Sequence, residues 1–412
     1  MATGSRVNVI DDALQARGAR ECLQWFTREK AWINERHLEL CRIPAPTFLE
    51  EKRAAWMAEQ FRAMGYAPQV DPAGNVVVLI EEHRSKPLIA LTAHLDTVLA
   101  PRSRDEISVE RDGRFHGPGV ADNGAGLAAL LAVAQALKAC RGLSDLALGL
   151  VLVANVGEEG EGNLSGMRYL ARQSDLARRI RAYVVLDGPS LDHITSQALA
   201  CRRFEISFSG AGGHSWTDYG NANPVHALSQ AITEFTAECW PLASPSADGS
   251  IPRCTFNFGT VEGGVSINSI PALARTKLDI RSENPARIDR LVDALTGVVD
   301  RARDTENRRA TGSKLTARIK EIGTRPGGRL REDSPLLAHV RAVDAHLGIR
   351  SRLDCASTDA NVPLSIGIPA IAIGAGGQGG GAHTNSEWYQ PDGRDMGLKR
   401  ILLTLMLLLR EE

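Results

Sequence analysis

No segment of this sequence stays apolar over the roughly 20 residues that a helix needs to cross a bilayer. The greasiest stretch, Ile401–Leu409, is nine residues between Arg400 and Arg410, so it reads as a packed C-terminal helix and no membrane partner is expected. The first residues, Met1 to Asp12, lack an apolar run of signal-peptide length, which makes a cytoplasmic location the expectation. Excess charge is missing too: 48 Lys+Arg against 49 Asp+Glu leave a formal net charge of -1, with no long basic block. A polyanion-binding surface is therefore excluded from the leading readings, and no nucleic acid is expected. The seven cysteines are odd in number, scattered and free of any Cys-x-x-Cys, a pattern that fits buried thiols in a reducing compartment rather than a disulfide framework. There is no Gly-x-Ser-x-Gly elbow for a serine hydrolase. Gly374-x-Gly376-x-x-Gly379 matches a dinucleotide fingerprint formally, but Ala382-His383-Thr384 and Pro391 follow where a helix should open.

What is present begins with length. At 412 residues the chain exceeds the roughly 250–300 at which one core stops growing, so two domains are expected. Helices are predicted over Ala16–Leu40, Leu49–Met64, Leu127–Leu137, Met167–Arg172 and Pro335–Ala345, and strands over Asn75–Ile80, Leu88–Thr92, Leu148–Val153, Ala182–Leu186 and Ala370–Ile373. Their alternation is a βαβ arrangement. From about Ala200 the order becomes βαββαβ: strand Cys201–Ser209, helix Asn223–Phe235, a Pro/Ser/Gly loop Pro241–Pro252, strands Cys254–Thr260 and Ala272–Ile280, a helix through Ile288–Val299, and strand Lys314–Ile319. That is the ferredoxin-like pattern. The predicted fold is α/β, a mixed-sheet α/β/α domain of residues 1–200 and 326–412 with an inserted ferredoxin-like domain of residues 201–325.

Potential metal ligands recur at strand ends and strand–helix junctions: His94, Asp122, Glu158/Glu159 and Asp187. In open α/β sheets ligands bind outside the carboxyl ends of the strands, so these can meet in one crevice. An isolated Glu-Glu pair is ordinarily a solvated acidic loop; here the other ligands give Glu158 and Glu159 a cation to face. With His383 the set offers two imidazoles and three carboxylates, a mixture suited to Zn²⁺, with Mn²⁺ or Co²⁺ as alternatives. Five ligands exceed what one tetrahedral ion with an open position can use, but suit two ions sharing a carboxylate. Asp96 is expected to accept the second N–H of His94, Glu158 to act as base toward an activated water, and Glu161 to support the turn.

The ordered set His94-x-Asp96, Asp122-Asn123, Glu158-Glu159, Asp187 and His383 resembles the zinc-dependent metallopeptidase and aminoacylase superfamily of carboxypeptidase G, dipeptidase V and peptidase T, peptidase family M20. Gly212-Gly213-His214-Ser215, Ser357-Thr358-Asp359-Ala360-Asn361 and His383-Thr384-x-x-Glu387-Trp388 point to its peptidase T-like branch. The resemblance implies a catalytic domain with a lid and dimerisation domain inserted. It implies Asp122 bridging two metal ions, His94 and Asp187 on one, Glu159 and His383 on the other, and Glu158 as general base. The Asp122-Asn123 peptide matches a position often cis. His214 resembles a lid histidine that polarises the scissile carbonyl, often across a homodimer, while Asn268, Arg281 and Thr358 resemble groups that bind substrate oxygens. Ala356-Ser357 stands where many members have Gly-Gly. The expected activity is hydrolysis of the C–N amide bond of a small peptide, as a di-/tripeptidase or exopeptidase. The alternatives are an amidohydrolase of N-acyl, N-carbamoyl or aromatic amine substrates, and an inactive binding protein of the same fold.

Overall fold

The computed structural model describes residues 10, 14–15, 18–80, 86–140, 146–244 and 252–411. Most of Met1 to Asp12, the start of the first expected helix at Ala16, and residues 245–251 of the Pro241–Pro252 loop lie outside them. The chain divides into two compact units, Met1–Ala198 with Gly328–Glu412, and Leu199–Gly327.

The larger unit is built on a nine-stranded mixed sheet. At its centre Gly149–Asn155, Leu88–His94, Ile180–Leu186 and Ala370–Ile373 lie side by side, each parallel to its neighbour. Every residue of Leu88–His94 and Gly149–Asn155 is buried. Covering both faces of a parallel sheet removes any need for polar alternation, hence the unbroken apolar runs in the sequence. Helices Gly124–Ala139 and Arg394–Leu408 are buried almost all round for the same reason. Antiparallel strands flank the centre: Val76–Leu79 pairs with Gly149–Asn155, and Gly328–Arg329 with His193–Ala198. Because the central strands run the same way, His94, Asn155, Leu186 and Ile373 all end on one edge.

A small antiparallel sheet orders Gln378–Gly380, Trp388–Gln390, Phe115–His116 and Ser108–Val109. It ties the chain just before Asp122 to the chain just after His383.

In the smaller unit the four main strands run βαββαβ in sequence and lie in the order Cys254–Gly263, Leu273–Ser282, Ala200–Ser209, Thr316–Arg325, all antiparallel. This is the ferredoxin-like order. Phe204, Ile206 and Phe208 form a core with Leu228, Phe235, Leu291, Leu295 and Val298 from its two helices. Helices Pro224–Ala243 and Pro285–Arg309 each open on an Asn cap, Asn223 and Asn284, whose side chain accepts backbone N–H groups, followed by proline.

Some elements differ from the sequence reading. The first helical stretch breaks at Glu29, whose backbone (φ -98, ψ 28) separates Ala19–Arg28 from Lys30–Cys41. Helix Pro285–Arg309 runs ten residues past Val299 because Ala302 and Glu306 continue its buried face. Strand Arg352–Ala356 escaped notice because its burial runs exposed to intermediate, with no apolar alternation to betray it. Among the described residues no helix is long and apolar enough to cross a membrane.

Candidate metal centre

Four connections at the carboxyl edge of the central strands carry the candidate ligands. His94 is the last residue of its strand and only 1% exposed. Its Nδ1 donates to the main-chain carbonyl of Asp96 at 3.0 Å, so Nε2 faces Asp122 Oδ1 at 3.1 Å and Asp187 Oδ1 at 4.0 Å. Asp187 follows strand Ile180–Leu186 directly. Glu158 and Glu159 follow Gly149–Asn155 and are 4% and 6% exposed, whereas Glu161 is exposed on the turn Gly160–Gly162.

Asp122 occupies the centre. One carboxylate oxygen faces His94, and the other lies 3.2 Å from His383 Nε2, which in turn is 2.9 Å from Glu159 Oε1. Two ligand sets thus share one residue: His94, Asp122 and Asp187, and Asp122, Glu159 and His383, each with candidate ligand atoms within 4.8 Å of one another. Glu158 falls in a third such group with His94 and Glu159. The donor chemistry fits two divalent cations bridged by Asp122.

Electrostatics point the same way. Burial pushes the Asp187 carboxyl up to about 7, reinforced by the negative charge of Asp122. Contacts with Asp122 and Glu159 raise His383 to about 10. Burial pulls His94 down, but Asp122 and Asp96 outweigh it and leave it well above its ordinary value. Without metal, the cluster holds protons where cations would neutralise it.

The Asp96 carboxylate does more than face the imidazole. It lies 3.6 Å from His94 Nδ1, farther than its own carbonyl, because its oxygens are taken by the amides of Glu158 and Glu159, each at 2.9 Å, and by the Thr47 hydroxyl at 2.9 Å. Asp96 is fully buried and fixes the backbone that carries both glutamates.

The turn 117–122 that presents Asp122 is held from two sides. Glu387 accepts the N–H groups of Gly119, Ala121 and Asp122 at 2.8–2.9 Å. His37, fully buried, accepts from Arg394 Nη2 at Nδ1 and donates from Nε2 to the Val120 carbonyl, both at 2.7 Å. Gly119 has φ +79, and a Cβ there would meet Thr97 at 2.6 Å. The Asp122–Asn123 peptide is cis, and Asn123 caps helix Gly124–Ala139 while its amide donates to the Leu186 carbonyl beside Asp187. Glu387 and Asn123 stand within motifs visible in the sequence, but no spacing rule tells that residue 387 reaches residue 119. Thr358 belongs to this unit, 6% exposed, with its hydroxyl accepting the Ala360 N–H at 3.2 Å.

His214, Asn268 and Arg281 belong to the smaller unit. There Gly213–His214 pairs with Ser269–Ile270, and Ser215 N–H donates to the Asn268 carbonyl, so His214 and Asn268 are brought together. The Trp216 N–H donates to His214 Nδ1 at 3.1 Å, which puts the imidazole proton on Nε2. Arg281 is held apart. It sits eight residues beyond Leu273 on strand Leu273–Ser282, about 27 Å along at ~3.4 Å per residue, beside Cys201, and donates to Asp279.

Comparison with known proteins bears on the family and the fold. The chain is 30% identical over 265 residues to a probable carboxypeptidase of Aspergillus clavatus, an alignment covering 60% of this chain and 56% of that one, so this chain spans little more than half the length of that relative. To a succinyl-diaminopimelate desuccinylase of Xanthomonas oryzae it is 25% identical over 262 residues, covering 60% of this chain and 67% of the other. Among solved structures, a tripeptidase from Staphylococcus aureus superposes with a TM-score of 0.72 at 21% identity, over 93% of this chain and 99% of that one, a likeness of fold. The family model described as peptidase family M20/M25/M40 matches residues 90–406, a span that takes in every ligand of the cluster and the whole smaller unit, and the chain belongs to that family.

Proposed function

We propose that this chain is a di-metal hydrolase that cleaves the C–N amide bond of a small peptide, as a di-/tripeptidase or exopeptidase. The observation that carries the reading is Asp122, whose two oxygens face His94 and His383 separately, with the carboxylate of Glu158 beside the cluster. His94, Asp122 and Asp187 would hold one divalent ion and Asp122, Glu159 and His383 the other, Zn²⁺ being the best match to this mixture. Bound there, the ions supply Lewis-acid polarisation of the carbonyl and acidify a water.

The remaining work falls to side chains. Glu158 takes the proton from the attacking water and returns it to the leaving amine. Asp96 fixes the Glu158 and Glu159 amides, so base and ligand keep their places. His214, with its proton on Nε2, donates to the oxygen that gains charge as the carbonyl becomes tetrahedral. Arg281, Asn268 and Thr358 serve substrate oxygens. An extended tripeptide spans roughly 10 Å, far less than the ~27 Å of strand between Leu273, four residues past the Ser269 that pairs with His214, and Arg281, which favours a homodimer whose sites take His214 and Arg281 from different subunits. The free thiols at all seven cysteines favour the cytoplasm.

A second reading draws on the desuccinylase relative and on Ala356-Ser357 before Thr358: an amidohydrolase of N-acyl substrates working through the same residues. A panel of dipeptides, tripeptides and N-acyl amino acids, assayed on metal-loaded protein, separates them. Turnover of peptides supports the first reading, and turnover confined to N-acyl amides supports the second. Two bound ions with no turnover of any amide would mark a binding protein and overturn both.

A further inference from the structure

Among the buried carboxylates outside the candidate ligand groups, Glu387 is the one that grips the turn leading into Asp122. Glu387 is 3% exposed and falls outside every candidate ligand group among the described residues. Its oxygens are committed to backbone: Oε1 accepts Ala121 and Asp122 N–H at 2.8 and 2.9 Å, and Oε2 accepts Gly119 N–H at 2.8 Å. Its main-chain carbonyl accepts Gly117 N–H at 3.0 Å. The turn thus wraps a protein carboxylate as such turns wrap a bound anion. Immediately after it, Trp388 and Tyr389 pair with His116 and Phe115.

We infer that Glu387 is a positioning residue that sets the distance between two ligands of one ion, Asp122 and His383. The two lie 261 positions apart in sequence, and His383 stands on a loop, half-exposed, with φ 65 and no regular element under it. Glu387 follows it by four residues and grips the three amides leading into Asp122. Its loss leaves three inward-facing N–H groups without their acceptor, and lets Asp122 and His383 drift relative to each other. The ion held by Asp122, Glu159 and His383 should suffer most, because the other retains His94 on a sheet strand and Asp187 at a strand end.

This inference rests on the two-ion reading, and its test keeps the two apart. Zn²⁺ binding to chelator-treated protein is measured by calorimetry for wild type, Glu387→Gln and Glu387→Ala, alongside the visible absorption of the Co²⁺-loaded forms. Expected are two ions on wild type, and on both variants one site close to wild-type affinity and the other weakened about 10–100-fold, the usual cost of removing a group that orients a ligand, with an altered Co²⁺ spectrum. A general loss of stability would weaken both sites alike and leave the spectrum of bound Co²⁺ unchanged. Glu387→Gln keeps the volume and one acceptor oxygen, so it should be the milder. Wild type binding no more than one ion refutes the two-ion reading. Wild type binding two, with the variants equal to it, overturns the role of Glu387 alone. If neither variant folds, hydrogen exchange on metal-free wild type decides: protected amides at Gly119, Ala121 and Asp122 support the inference, and exchange at open-loop rates overturns it.

Discussion

Replacing Glu158 by Gln separates proton transfer from metal binding. The side chains are nearly isosteric, and the backbone here is pinned by the 2.9 Å bond from Glu158 N–H to Asp96, so the site should keep its shape. What is lost is the carboxylate proposed as base, in a 4%-exposed setting. General-base catalysis contributes about 10²–10⁴-fold, so kcat should fall by that factor, a barrier rise of roughly 2.7–5.4 kcal/mol at 1.36 kcal/mol per decade. KM should move little, because the step lost is chemical and not binding. Steady-state kinetics on the best amide substrate, together with elemental analysis of the same preparation, tests both halves. A kcat drop below tenfold would refute the base assignment. Loss of an ion along with activity would make Glu158 a ligand, an outcome its grouping with His94 and Glu159 makes worth measuring.

Other expectations follow from the same geometry. Asp122→Ala should remove both ions, since both ligand sets contain it; one ion retained at wild-type affinity would refute the bridge. Binding of metal should release protons near neutral pH, because His383 is raised to about 10 and Asp187 to about 7, and affinity should tighten between pH 6 and 8; calorimetry in buffers of different ionisation enthalpy measures this directly. In metal-free protein the sign for stability is the reverse. The folded chain binds more protons than the unfolded one at Asp187 between 3.8 and about 7 and at His383 between 6.5 and about 10, so its Tm should fall as pH rises through these windows, and a flat profile would count against both shifts. His214→Ala should lower kcat with both ions retained, and mixing His214→Ala with Glu158→Gln protein should restore activity only if sites are shared between subunits.

How much was legible in advance depends on how local the signal is. Strand Leu88–His94, the helix after Asp122 and the βαββαβ insertion could be read because burial imposes its period on a short window of sequence. Edge strand Arg352–Ala356 could not, because half-solvated residues carry no such period. The ligand types were visible for a related reason: a carboxylate or imidazole at the end of an apolar strand is conspicuous by chemistry alone.

Their partnerships were a different matter. That Asp122 divides its oxygens between His94 and His383, that the Asp96 carboxylate serves the Glu158 and Glu159 amides more closely than the imidazole, and that Glu387 grips the turn before Asp122 are facts of the fold, made by strands that run parallel and a small sheet that joins residues 115–116 to 388–390. Local sequence is enough to mark which groups could ligate, and near which strand ends. Which oxygen faces which nitrogen depends on the folded chain, because hydrogen-bond geometry is set by chain crossings that leave no mark in local composition.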